Sequence, residues 1–277
     1  MDLTFFGVRG SCPCAGREYG RVGGNTSCTL VSVEGEPPLV LDLGSGLRAL
    51  GELLCRKEAP LEATALLSHL HIDHLLGLPF FGPLHEPGAR LTVFGPPQEG
   101  ARLRDILDRA VKPPFFPVTM AELGGEVDVR EVDDEELRIG AIGVRAARVP
   151  HPGVTLGFRV TAGGRSVVYI PDHQAPPDCR EVPEPVRALC DGADLLVHDA
   201  QYTDAEYAAK PDWGHSTVSY ALRVAAASGV RRLALFHHDP SHSDEDMDEL
   251  LGAARRLPDA ARLDELTVAT EGKTVTV

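Results

Sequence analysis

The chain has 277 residues, 43% of them hydrophobic and 25% charged, an ordinary composition for a globular protein. Its 27 basic and 41 acidic side chains leave a net charge of −14, which argues against wide, sequence-blind binding to nucleic acid but not against a small phosphate ester held locally. No apolar run is long enough to span a membrane, and the opening MDLTFFGVRG lacks the pattern of an export signal, so a cytoplasmic location is expected. The six cysteines, at positions 12, 14, 28, 55, 179 and 190, are expected to be reduced thiols there, with Cys12 and Cys14 incidental to a loop.

In chain order, residues 3–8 (LTFFGV) read as a strand, followed by a polar Gly/Pro loop to Gly24 and a second strand over 29–33. The turn Glu34-Gly35-Glu36-Pro37 leads into a third strand over 38–43, with Asp42 inside its apolar run. A carboxylate buried there has to accept hydrogen bonds, either capping the turn Gly44-Ser45-Gly46 or orienting a metal-bound imidazole. Residues 47–56 have the pattern of an amphipathic helix, and 63–68 (ATALLS) that of a buried strand.

That strand runs into His69-Leu70-His71-Ile72-Asp73-His74, and residues 75–78 read as the opening of a short helix. Imidazole nitrogens with a carboxylate suit zinc, manganese or iron better than calcium or magnesium. In extended chain His69 and His71 point the same way and can share one metal; Asp73 and His74, past the bend, are placed to hold a second.

Residues 91–94 are a further strand and 100–111 a helix, with Leu103, Ile106, Leu107 and Ala110 on one face. The KPPFFP segment at 112–117 cannot be regular structure; Phe115 and Phe116 in it read first as core packing, with substrate contact as the alternative. The acidic stretch 127–142, centred on Asp133-Asp134-Glu135-Glu136, reads as a solvated turn. Strands follow over 144–149, 155–160 and 166–170. His151 sits just past the first, and Asp172 just past the last. A single carboxylate between two sets of imidazoles can bridge two cations.

Ser216 is the expected N-cap of a helix over 216–227 that stops at Gly229. A strand over 232–236 delivers His237 and His238, which alternation places on opposite faces, leaving one of the pair for a metal. Ser243 starts a last helix with Asp246 as its capping-box partner and Leu250 and Leu251 facing inward; residues 266–277 form a closing strand. With no Ser/Gly-rich linker, residues 1–277 read as one domain. Strands interleaved with helices, the helices outside two sheets, describe an α/β, four-layer αββα sandwich. The halves share a pattern of strands that end in ligand-type residues.

The six-residue motif, followed in order by His151, Asp172 and His237, resembles the metallo-β-lactamase superfamily of dinuclear metal hydrolases, over nearly the whole chain to His242. The resemblance implies that His69, His71 and His151 hold one ion, that Asp73, His74 and His237 hold the other, and that Asp172 bridges them. Val197-His198-Asp199-Ala200 and Gly214-His215-Ser216-Thr217 look like the paired motifs of the ribonuclease Z and phosphodiesterase branch, in which an acidic residue orients a histidine that contacts phosphate. Asp199 stands where ribonuclease Z usually has Glu. Metallo-β-lactamases proper and glyoxalase II lack this pair. Phe6-Gly7-Val8-Arg9-Gly10-Ser11 and Gly23-Gly24-Asn25-Thr26-Ser27 are similar to bacterial relatives of phosphoribosyl cyclic phosphodiesterase. The long basic arm with which ribonuclease Z clamps tRNA has no counterpart in residues 91–126.

The implied function is a dinuclear metal-dependent phosphodiesterase acting on a small or cyclic phosphodiester. Two divalent ions, zinc ahead of manganese or iron, would activate a shared hydroxide. Asp73, His215 and Asp199 are the catalytic residues in this reading, and Arg9 is either a phosphate contact or half of a structural salt bridge. The alternatives are a tRNA 3′-processing endonuclease, a lactone or thioester hydrolase, and a non-catalytic binding module. The expected partner is a small phosphodiester, without extensive nucleic-acid or membrane binding; a homodimer stays open.

Overall fold

Alternation along one short strand shows how the layers form. Leu39 and Leu41 face a core shared with the opposite sheet, while Val40 between them faces a second core under two helices. The structure, a computed structural model, describes residues 1–55 and 60–277; Arg56, the last residue of the helix expected over 47–56, lies outside them.

The first sheet takes β1 (Asp2–Gly7), β2 (Cys28–Ser32), β3 (Leu39–Leu41), β4 (Glu62–Leu66), β5 (Arg90–Gly95) and β6 (Glu126–Glu131). The second takes β7 (Glu136–Ile139), β8 (Ile142–Arg148), β9 (Leu156–Ala162), β10 (Arg165–Ile170), β11 (Leu195–Asp199), β12 (Arg232–Phe236) and β13 (Glu265–Val268). The last strand, β14 (Thr274–Thr276), returns to the first sheet beside β1. Strand order is β14-β1-β2-β3-β4-β5-β6 in one sheet and β13-β12-β11-β10-β9-β8-β7 in the other. In both, antiparallel pairing gives way to parallel pairing, at β3–β4 in the first and β10–β11 in the second.

Helices α1 (Leu47–Leu54) and α2 (Leu103–Ala110) cover the outer face of the first sheet. Of α3 (Glu184–Cys190), α4 (Asp204–Tyr207), α5 (Val218–Ala227) and α6 (Asp244–Ala254), the helices α3, α5 and α6 pack on the second sheet. The result is the αββα sandwich. Its inner core joins Phe5, Leu39, Leu41 and Leu66 of one sheet to Phe158, Tyr169, Val197 and Phe236 of the other.

Several expectations are corrected. The acidic stretch is a turn only between β6 and β7, because Glu126–Glu131 and Glu136–Ile139 are polar edge strands whose backbones pair with β5 and β8. Residues 75–78 do not open a helix; single 3₁₀ turns form at Ile72–His74 and Leu78–Phe80 instead. The closing strand over 266–277 is two strands in different sheets, parted by a turn with Gly272 at φ 77°. The N-cap of α5 is Thr217, whose hydroxyl accepts from the Tyr220 N–H at 3.1 Å; Ser216 instead donates to the His173 carbonyl at 2.6 Å. Phe115 is not core: it is 83% exposed. No described helix is long and apolar enough to cross a membrane.

Candidate metal centre

Parallel strands aim their carboxyl ends at one place, and side chains just past those ends share it. β3 leads to Asp42, β4 to the His69–His74 segment, β10 to Asp172, β11 to Asp199 and β12 to His237. His151 and His215 come from loops after β8 and before α5.

Two donor sets result, and a third group, Asp172 with His215 and His237, overlaps them. In the first, His69, His71, His151 and Asp172 converge. His71 Nδ1 lies 3.1 Å from His151 Nε2, and both His69 Nε2 and His151 Nε2 lie 3.8 Å from Asp172 Oδ1. In the second, Asp73, His74 and His237 converge. Asp73 Oδ2 is 3.4 Å from His74 Nε2 and 3.2 Å from His237 Nε2, while Asp172 Oδ2 is 3.0 Å and 3.3 Å from the same two atoms. Asp172 thus turns one oxygen to each set.

These spacings fit a transition-metal ion. Donors about 2.1 Å from a tetrahedral centre sit about 3.4 Å from each other. His69 Nε2, His74 Nε2 and Asp172 Oδ2 are also buried without a directed hydrogen bond, which is costly unless a cation is the missing partner.

The far side of each imidazole is fixed. A carboxylate can only accept, so His74 Nδ1 must carry the proton it gives to Asp42 Oδ2 at 2.9 Å, and Nε2 is the ring atom turned toward the donors. Asp42 also accepts from Ser68 N at 2.7 Å, Ser68 Oγ at 2.9 Å and Tyr169 Oη at 2.9 Å. It orients an imidazole and does not cap the turn at Gly44. His69 Nδ1 faces Ser68 Oγ at 3.1 Å, His151 Nδ1 donates to the Gly214 carbonyl at 2.6 Å, and His237 Nδ1 donates to Gln201 Oε1 at 2.8 Å. The N–H of Ser11 donates to Asp73 Oδ2 at 2.8 Å. Sequence reasoning missed Ser68, Tyr169 and Gln201. Only Ser68, adjacent to His69, carried a positional hint.

Electrostatics divides the sets. Burial lowers His69 well below the usual imidazole range and His151 to about 4, so both favour the neutral, metal-binding form. Burial opposes the charges on Asp73 and Asp172, yet neighbouring imidazoles outweigh it and hold both carboxyls far below their usual range. For His74 and His237, burial is outweighed by Asp172 and Asp73, which raise both.

His237 and His238 part as expected, with a different cause. β12 ends at Phe236 and His237 adopts φ 59°, so a left-handed turn rather than strand alternation swings its ring to the donors. His238 Nε2 points away, bonded to the Ala269 carbonyl at 2.9 Å.

His215 Nδ1 lies 3.1 Å from Asp199 Oδ2, and the same carboxylate accepts from the backbone N–H groups of His173, Ser216 and Gln201. His198, beside Asp199, stays behind the site with Nε2 2.9 Å from His173 Nδ1. Ser11, His71, Asp73, Asp172, His215 and His237 line one cleft of about 260 Å³, together with Ile72. Arg9 is not a phosphate contact. It is fully buried, donating to the carbonyls of Gly23, Asp239 and His242.

A family model described as beta-lactamase superfamily domain matches residues 40–238. Ribonuclease Z of Haloferax volcanii is 30% identical, over 100% of this chain and 95% of that protein. Among solved structures, Zn(2+)-bound PqqB from Methylobacterium extorquens is similar with a TM-score of 0.73 and 22% identity, covering 100% of each chain. A diphosphatase from the PhnP family is similar with a TM-score of 0.70 and 19% identity, over 100% of this chain and 97% of that one. On the family model and the Haloferax relative together, the chain belongs to the metallo-β-lactamase superfamily, on its ribonuclease Z-like branch.

Proposed function

We propose that the chain is a dinuclear metal-dependent phosphodiesterase for a small phosphodiester. The observation that carries this reading is that His215, anchored by Asp199, opens on the same cleft as both donor sets. His69, His71 and His151 would hold one ion, Asp73, His74 and His237 the other, and Asp172 both. When bound, a metal pair supplies Lewis acidity to the phosphoryl oxygens and brings water near its pKa at neutral pH. Zinc suits the donors, with manganese and iron as alternatives.

The chain's own groups do the rest. Asp199 accepts the Nδ1 proton of His215, so Nε2 is the atom free to exchange a hydrogen bond or proton with the phosphate or leaving oxygen. Ser11 N–H steadies Asp73, and Asp42 and Gln201 steady the imidazoles of His74 and His237.

His215→Ala is expected to keep both metals and lose about 10²–10⁴ in turnover on bis-p-nitrophenyl phosphate, the scale of a positioned acid. Metal analysis and assay of one sample decide it: full activity in that variant would move lactone or thioester hydrolysis ahead. A second reading, cleavage of precursor tRNA, is favoured by the ribonuclease Z relative and stands against the expectation of little nucleic-acid binding. Against it stands the net charge of −14. Precursor tRNA added to the same assay separates the two.

A further inference from the structure

We infer that the hydroxyl of Ser11 is a substrate contact, donating a hydrogen bond to a phosphoryl oxygen of the bound ester. The inference deepens the phosphodiesterase reading and rests on it. Seven described residues line the metal cleft, and none of them is a lysine or an arginine. Four of the seven, His71, Asp73, Asp172 and His237, belong to the two donor sets. Ile72 is apolar. Side-chain hydrogen bonds to a phosphate seated there therefore have to come from the remaining two, His215 and Ser11.

The backbone holds Ser11 at the cleft. It adopts φ 62°, in the left-handed region where glycine is at ease and a side chain is not. Neighbours impose that conformation. The Arg9 N–H donates to the Asn25 carbonyl at 2.9 Å, the Gly10 N–H to the His238 carbonyl at 3.0 Å, and the Ser11 N–H to Asp73 Oδ2 at 2.8 Å. Gly10 packs so closely on His237 that any side chain there would collide with the imidazole. Glycine would suit the backbone at position 11 as well, so what serine adds is its hydroxyl, and a side chain kept on an unfavourable backbone beside a reactive centre points to use there. The fold makes little use of it. Oγ accepts from Gln201 Nε2 at 3.5 Å, and that amide also has Tyr202 Oη and Asp239 Oδ2 as partners. The hydroxyl proton is given to no acceptor among the described residues, and Ser11 is exposed where it lines the cleft. A neutral donor beside two carboxylates suits an anionic oxygen, which can only accept.

The test removes the hydroxyl in two ways. Ser11→Gly and Ser11→Ala both keep the N–H that donates to Asp73, and glycine also relieves the backbone. Zinc-loaded full-length parent and variants are compared in hydrolysis of bis-p-nitrophenyl phosphate, by elemental analysis for metal, and in calorimetric titration with inorganic phosphate. We expect metal stoichiometry to be unchanged and kcat/KM to fall by about 10- to 100-fold in both variants, the range for one lost hydrogen bond to a charged group. Cys12→Ser, on the next residue of the same exposed loop, should match the parent. Parent-like kcat/KM in either Ser11 variant overturns the inference, because the effect then belongs to the backbone or to nothing. Metal lost from both variants also overturns it, leaving Ser11 as a support of Asp73 alone. If the parent hydrolyses no ester, the phosphodiesterase reading fails by itself and the phosphate titration decides the contact. Binding weaker by about tenfold in both variants supports it; equal or absent binding overturns it.

Discussion

Gln201 is 3% exposed, carries no charge, and belongs to no metal-ligand pattern, yet its amide oxygen fixes the ring of His237. Its amide nitrogen donates to Tyr202 Oη at 3.2 Å and to Asp239 Oδ2 at 3.4 Å, and the carboxylate, which can only accept, sets which way the amide faces. Gln201→Ala is therefore expected to weaken metal at the second donor set by about 10- to 100-fold, as removal of such a supporting partner does; competition with a chromogenic chelator measures it. His237→Ala should remove about one ion per chain by elemental analysis. His238→Ala should keep the stoichiometry and instead lower stability by about 1–3 kcal/mol, because the Ala269 carbonyl loses its buried donor. At this scale the residues that converge were legible, the His69–His74 segment from its own spacing and His151, Asp172 and His237 only from their shared place after strands and the family resemblance. Their supports were not. Glutamine, serine and tyrosine bond to almost anything, and only the fold brings Tyr169 within 2.9 Å of Asp42, 127 positions away.

Elements were legible where the side chains alone set the pattern. Arg232–Phe236 was read to the residue because a buried parallel strand is a continuous apolar run, and the Ser243–Asp246 capping box was read because it is local. Polar strands at the sheet edges were not, since β6 and β7 gain their conformation from neighbours' hydrogen bonds rather than from composition. The start of α5 was misplaced by one residue because Ser216 and Thr217 are both good caps, and the His173 carbonyl takes one of them. Thr217→Ala should cost about 1 kcal/mol in urea denaturation, with Thr217→Ser close to the parent protein. A larger loss for the serine variant than for alanine would show that the hydroxyl is not the cap.

For the whole molecule, the order of strands was beyond direct reading, because register across a sheet depends on partners far away in sequence. The layered architecture itself was within reach, and the return of β14 to the first sheet was the feature lost. Both donor sets straddle the two sheets: His69, His71, Asp73 and His74 follow β4, while His151, Asp172 and His237 follow strands of the other sheet. Chelation should thus lower the thermal midpoint reversibly, each site contributing about 2.7 kcal/mol when metal stands at 100 times its Kd. Calorimetry with and without chelator measures the shift, and no shift would mean that the donors bind nothing in the folded state.

That straddling has a further consequence if the backbone is cut. The turn between β6 and β7 exposes Asp134 and Glu135 at the surface, and a nick there would leave two pieces, each with one sheet nearly complete and neither with a full set of donors. The second piece would still reach back through β14 to lie along β1. Reassembly of such a split pair would be drawn by the shared apolar face and clinched by metal. The affinity of one half for the other would then report the concentration of free metal ion, which turns an intramolecular coordination site into a concentration-dependent fragment-complementation switch.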